Sequence, residues 1–323
     1  MNQEKLPEVM DEQWNSINKN NREKVEEFLR ESIQLSDETL KQYKSALRIF
    51  FLWIKENAED KSFNNIKSRD YLLYQNYLIR RGLSSSAVRI KRSAISSFNG
   101  YIEVYFQDQY PNFRNFINKK IPAPMQVFVN EKRPLDLEEY KSLCNKLEEM
   151  EKWQELAYLK FSFSTGARRN EVKQLLKEVV NYEPRMVGEN KIYATHDIRC
   201  KGRGKTGKVR KLQMDEDAFL AIKKWLEIRG EDDCPYVFVA NQNDVVKQVS
   251  SEALNNWCGS LFTKIVGRRV HPHAIRESRA TTMVVEQLKD IKIAQKLLGH
   301  NSSTTTEIYV VRKDSDDSDE AFT

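Results

Sequence analysis

Apolar positions in the first part of the chain recur at helical spacing. Ser36 stands ahead of Leu40, Tyr43, Leu47, Phe50, Phe51 and Ile54, an i, i+3, i+7 series behind a capping hydroxyl that predicts an amphipathic helix. Val25, Phe28 and Leu29 predict a helix before it, whereas residues 1–20 are polar and read as a flexible arm. A shorter stripe, Leu73, Tyr77 and Leu78, stops at Gly82. Ser84 to Ser86 then open a long helix whose inner face reads Ala87, Ile90, Ala94, Phe98, Tyr101 and Tyr105. Residues 21–115 are therefore expected to form an all-helical domain.

Between Tyr110 and Pro134 the periodicity is lost, and Pro111, Pro122, Pro124 and Pro134 interrupt any long element. Residues 116–134 read as a linker. Helical spacing resumes at Leu135 with LDLEEYKSLCNKL and holds to Leu176. The segments KIYATHDIR and KVRKLQM then alternate or carry β-favouring residues, with GRGKTG between them as a turn. Helical patterns return from Asp217 onward. The second domain is placed at 135–312, followed by an acidic tail, 313–323, expected to be disordered. The fold class expected is mainly α with a small antiparallel β-sheet: a helical domain followed by an α+β domain.

Composition narrows the function classes. Charged residues make up 31% of the 323 and apolar ones 40%, ordinary for a soluble globular protein. No apolar run approaches the ~20 residues of a membrane span, and MNQEKLPEVMDEQW lacks the basic head and apolar stretch of a secretory signal. A cytoplasmic protein with no membrane partner is expected. Cys144, Cys200, Cys234 and Cys258 are too scattered for a disulfide scaffold or zinc ribbon. His271 and His273 form an HxH pair with no third ligand at a sensible spacing, so no metal is expected.

The net charge of +6 is mild, but residues 199–211, RCKGRGKTGKVRK, carry seven cations and no acid. Such a stretch repels itself unless an anion is near, which favours a polyanionic partner. Candidate DNA contacts are Lys201, Arg203 and Lys208 in that stretch, Lys119 and Lys120 in the linker, and Arg89, Lys91 and Arg92 in the helical domain. A solvated surface explains the last three equally well.

Four stretches of the second domain carry chemistry together: Arg168 in TGARRNEV, Lys205 in KTGK, His273 and Arg276 in HAIR, and His300 in LLGHNSSTTTEIY, which ends at Tyr309. An Arg fork matches phosphate oxygens bidentately, and two forks neutralise a five-coordinate phosphorus. His donates a hydrogen bond or relays a proton. A Lys whose pKa is lowered by nearby cations protonates a leaving alkoxide, and a Tyr in such a field attacks phosphorus. The set suits metal-free transfer of a DNA phosphodiester to a phenol. Taken singly, Arg168 reads as a surface residue, His273 as a structural histidine and Tyr309 as packing.

These four motifs, in this order, resemble the tyrosine recombinase (phage integrase) family. The helical first half is similar to the family's core-binding domain, including the Ser36, Thr39 and Tyr43 start. The resemblance implies that Arg168 and Arg276 clamp the scissile phosphate and that His300 hydrogen-bonds it. His273 would assist proton movement near the phenol, and Lys205 would protonate the departing 5′-oxygen. Tyr309 would form a 3′-phosphotyrosine without ATP, metal or other cofactor. Glu171 would brace Arg168. Lys201 and Lys208 remain alternatives to Lys205. Arg276 is followed by Glu277-Ser278-Arg279, where the family often has His-Thr-Phe. The partners implied are double-stranded DNA, a homo-tetramer on paired sites and accessory DNA-bending proteins, with the protein nucleoid-associated when bound. The alternatives are a DNA-relaxing enzyme of the type IB topoisomerase kind and a non-catalytic DNA-binding protein that keeps the fold.

Overall fold

A computed structural model describes residues 6–117, 121–125, 133–200, 207–243, 245–299, 307 and 310. Lys119, Lys120, Lys201, Arg203, Lys205, His300, Tyr309 and the acidic tail lie outside the described residues. The chain divides into two compact units, with the break between residues 129 and 130.

The first unit is helical: α1 (Asp11–Asn15), α2 (Lys19–Glu31), α3 (Asp37–Asn57), α4 (Ser68–Arg80) and α5 (Ser85–Tyr105). The two long helices start where the capping residues predict. Ser36 Oγ accepts the Thr39 N–H and Ser84 Oγ accepts the Ala87 N–H, each satisfying one of the orphan donors of a first turn. Their inner faces meet in an aromatic core in which Phe51 and Phe63 both pack edge-on to Phe98.

Three expectations are corrected here. Residues 6–20 are not a loose arm: Val9, Trp14 and Ile17 are buried in this core, and the Trp14 indole donates to Glu26 at 3.1 Å. A few well-placed apolar anchors outweigh a polar composition. In α4 the buried face is Tyr71, Tyr74, Gln75 and Leu78, with Leu73 exposed. In α5 it is Val88, Ala94, Ile95, Phe98, Asn99, Tyr101 and Ile102, with Ile90 and Tyr105 exposed. Both helices carry apolar residues on more than one face, so packing decided the rotation. Phe116, Ile117 and Ile121 also join this core, so the segment read as linker is partly a wall of the first unit.

The second unit opens with α6 (Leu137–Glu149), α7 (Trp153–Thr165) and α8 (Arg169–Val172). Strands β1 (Arg185–Val187), β2 (Asn190–Cys200) and β3 (Lys208–Asp215) form an antiparallel sheet in the order β1-β2-β3. The β2–β3 pairing is the expected hairpin, with its register shifted between Ala194 and Asp197. Helix α9 (Glu216–Arg229) follows, then a second hairpin, β4 (Val239–Gln242) and β5 (Val245–Gln248). This hairpin corrects the expectation of helix throughout from Asp217. Its turn passes through Asn243 at a φ of 53°, a conformation asparagine tolerates better than most residues.

Helix α10 (Ser251–Asn256) runs through a π-helical stretch, Trp257–Phe262, into α11 (Thr263–Val266). Helices α12 (Pro272–Thr281) and α13 (Ile291–Leu298) complete the described part. α7 is buried on nearly every side, from Leu156 to Thr165, as a helix at the centre of a core must be. Among the described residues no helix is long and apolar enough to cross a membrane. The four cysteines are free and buried. Burial pushes the Cys144 thiol up to about 11, which leaves it unreactive at neutral pH.

Candidate active site

The site is assembled where α7 ends. Gly166 adopts a left-handed φ of 59°, and a Cβ there would overlap the Leu298 side chain. Only glycine allows this turn at this closeness. Thr165 Oγ1 accepts the Ala167 N–H at 3.1 Å and fixes the same turn. The chain then enters α8 with Arg168 at its N-cap.

Glu171, 1% exposed, faces back onto Arg168. Its carboxylate accepts the Arg168 backbone N–H and the Arg168 Nη1, each at 3.0 Å. Burial opposes the charge on Glu171, but hydrogen bonds and charge from Arg168, with a contribution from Arg210, outweigh it and hold its carboxyl below the usual range. Glu171 thus contacts Arg168 through both its backbone and its side chain.

Arg276 lies in α12 and is fully buried. Its Nη1 donates to the Gly166 carbonyl and its Nη2 to the Leu298 carbonyl, the latter at 2.7 Å. One guanidinium thus touches the turn before Arg168 and the helix end before His300. The residues after Arg276 are well packed despite their departure from His-Thr-Phe. Ser278 Oγ accepts the Leu135 N–H at 2.7 Å, and the Arg279 guanidinium lies over the Phe163 ring.

The two histidines of the HxH pair have different tasks. His271 caps α12, its Nδ1 accepting the Ala274 N–H at 3.0 Å. His273 still meets solvent. Protein crowding on its other side, then the charges of Arg276, His271, Arg168 and Arg169, push it down to about 4. These surroundings favour the neutral imidazole over the imidazolium. Among the described residues no group of three or more His, Cys, Asp or Glu stands together as a metal site.

The structure brings Arg168, Glu171, His273 and Arg276 to one locus. It also supplies a member that sequence reading missed. Arg210, on β3, donates Nη1 to the Leu297 carbonyl at 2.6 Å and approaches Glu171 with Nη2 at 3.4 Å. Within a strongly basic run it looked like one more solvated cation, and only the alternation of β3 could have turned it inward.

The chain matches the model of the phage integrase family over residues 133–315, and that family's N-terminal SAM-like domain over 22–104. This chain belongs to the phage integrase (tyrosine recombinase) family. It is 33% identical to the SPbeta prophage-derived recombinase-like protein YomM of Bacillus subtilis, covering 98% of this chain and 95% of that protein. It is 29% identical to the tyrosine recombinase XerA of Pyrococcus furiosus, over 78% of this chain and 84% of the relative. Its fold is that of the Tn1549 transposon integrase in complex with transposon right end DNA. The TM-score is 0.68 at 17% identity, over 93% of this chain and 97% of the other. The XerH site-specific recombinase bound to its difH substrate is similar at a TM-score of 0.66 and 18% identity, over 95% and 85%. The expected fold, helical domain plus small-sheet catalytic-type domain, is the one found.

The DNA-contact candidates divide. Lys208 is exposed at the start of β3. In the first unit, Arg89 Nε donates to the Pro124 carbonyl at 3.0 Å. Arg92 donates to the Ile121 carbonyl at 2.8 Å and to Gln75 at 3.2 Å. Both arginines hold residues 121–124 against α5. Lys91 is half-buried, and burial lowers its pKa.

Proposed function

We propose that this member is an active site-specific DNA recombinase that cuts and rejoins DNA through a covalent bond to Tyr309. The observation that carries the reading is the shared guanidinium contact. Arg276 hydrogen-bonds the turn that presents Arg168, and burial, then the charges of Arg276, His271 and Arg168, lower the His273 pKa. Two cationic forks beside a neutral imidazole suit a phosphodiester whose charge grows during attack.

In this mechanism Arg168 and Arg276 bind the non-bridging oxygens of the scissile phosphate, and His300 donates to the same group. The Tyr309 oxygen attacks phosphorus, and His273 helps remove the phenolic proton. The bond from phosphorus to the 5′-oxygen breaks, and Lys205 (or its neighbours Lys201 or Lys208) protonates the leaving oxygen. A 3′-phosphotyrosine and a free 5′-hydroxyl result, so the bond energy is conserved and ATP is not needed. Attack by a 5′-hydroxyl from a second duplex reverses the step and joins the new partner. Double-stranded DNA as partner is supported by the DNA complexes among similar folds. Because each protomer cuts one strand, exchange between two duplexes needs four, a tetramer.

Backbone contacts from the basic residues give the complex a steep salt dependence. The test uses Tyr309→Phe beside the parent on nicked duplexes from the DNA flanking its own gene. The parent is expected to trap covalently on DNA, whereas Tyr309→Phe binds with the same affinity and traps nothing. Equal trapping by both would overturn the assignment. A supercoiled plasmid without the site stays supercoiled if the protein recombines, and relaxes if it acts as a topoisomerase.

A further inference from the structure

The described end of α13 is held from two sides by arginines. The last carbonyls of a helix have no partner inside it and carry the negative end of its dipole. Here the Leu298 carbonyl is taken by Arg276 and the Leu297 carbonyl by Arg210. Arg210 does more than cap. Its Nε donates to Cys200 Sγ at 3.2 Å, and its Nη2 approaches the same Glu171 oxygen that accepts the Arg168 backbone N–H. Its side chain is 16% exposed. At Gly299, left-handed at a φ of 65°, a Cβ would come within 2.9 Å of this guanidinium. The glycine leaves the space that Arg210 fills.

We propose that Arg210 is a positioning residue that sets the α13 terminus in register with the Arg168–Glu171 pair. It does so by spanning three partners with one rigid fork: a helix-end carbonyl, a thiol on the neighbouring strand and the carboxylate that holds Arg168. It touches no reacting atom. A guanidinium has the planar geometry for this, and a lysine ammonium, a point charge, does not. The proposal rests on the recombinase reading above, because positioning has an effect only if Arg168 meets a phosphate.

The test compares the parent with Arg210→Met, Arg210→Lys, Glu171→Gln and the Arg210→Met/Glu171→Gln double variant, all in the full chain. The readouts are the single-turnover rate of covalent attachment to the nicked flanking duplexes and the affinity for those duplexes. The single-turnover rate constant belongs to the folded molecules alone, so a mere loss of folded protein lowers the amplitude and leaves the rate intact. Misplacing a reactive group by about an ångström slows a reaction about 100-fold, which is the loss expected for Arg210→Met, with affinity changed less than about threefold. Arg210→Lys keeps the charge but not the fork and is expected to stay within about tenfold of Arg210→Met. The double variant is expected to be no slower than the worse single one, because both changes break the same linkage. A parental rate in Arg210→Met or Arg210→Lys would overturn the positioning role and leave the recombinase reading standing. Multiplicative losses in the double variant would also overturn it. No covalent attachment by the parent itself would overturn the recombinase reading, and this proposal with it.

Discussion

Replacing Glu171 by alanine removes a buried carboxylate from the site. The carboxylate accepts two hydrogen bonds from Arg168 at 3.0 Å and lies 3.4 Å from Arg210. Removing one partner of a buried ion pair costs about 3–5 kcal/mol. The Arg168 and Arg210 side chains keep 23% and 16% of their exposure, so water partly replaces the lost acceptor and the low end, about 3 kcal/mol, applies. For a unit of this size each kcal/mol lowers Tm by about 2–4 °C, so Glu171→Ala should melt about 6–12 °C below the parent. Glu171→Gln keeps the shape and one acceptor and should lose about half as much.

The loss is pH-dependent. Glu171 titrates below its unfolded value when folded, so its contribution is complete above the ordinary carboxylate range and fades as pH falls through the folded value. Calorimetry of parent and Glu171→Gln from neutral pH down to about pH 3 should show the gap closing only at the acid end. Melting of Glu171→Ala at the parental temperature, or a gap that widens with acid, would refute the electrostatic account.

Three further outcomes follow from other contacts. Gly166→Ala forces a side chain into a left-handed turn already filled by Leu298, and should destabilise the second unit by about 1–3 kcal/mol in chemical denaturation. His273, lowered to about 4, should show no imidazole titration between pH 5.5 and 8 by NMR, where a free histidine titrates near 6.5. Because its folded pKa is depressed, its stability contribution is present above about pH 6.5 and is lost as the solution is acidified toward 4. Trp14→Ala removes an indole buried in the first unit and should cost about 3–5 kcal/mol. Full stability in that variant would return residues 6–20 to the flexible arm that composition suggested.

What the sequence revealed was local. Ser36 and Ser84 announce their helices because a capping hydroxyl acts within three residues. The hairpin from β2 to β3 is likewise set by neighbours in the chain. Rotation of α4 and α5 was not legible, because Leu73 and Ile90 compete with Tyr71 and Ile95 for the inner face and only the assembled core decides. The short strands β4 and β5, four residues each, are too brief to carry a periodicity. In the candidate site, Arg168, His273 and Arg276 were readable from their motifs. Arg210 was not, because its partners Glu171 and Leu297 lie 39 and 87 residues away in the chain.

The residue to which DNA becomes attached identifies the nucleophile. Protease digestion of the trapped protein–DNA complex, followed by mass spectrometry of the nucleotide-bearing peptide, reads it directly. A single modified residue is expected, Tyr309, linked to the 3′ end of the cut strand, with the other end bearing a hydroxyl that a kinase can phosphorylate. Attachment to any other residue, or a linkage to a 5′ phosphate, would contradict this assignment.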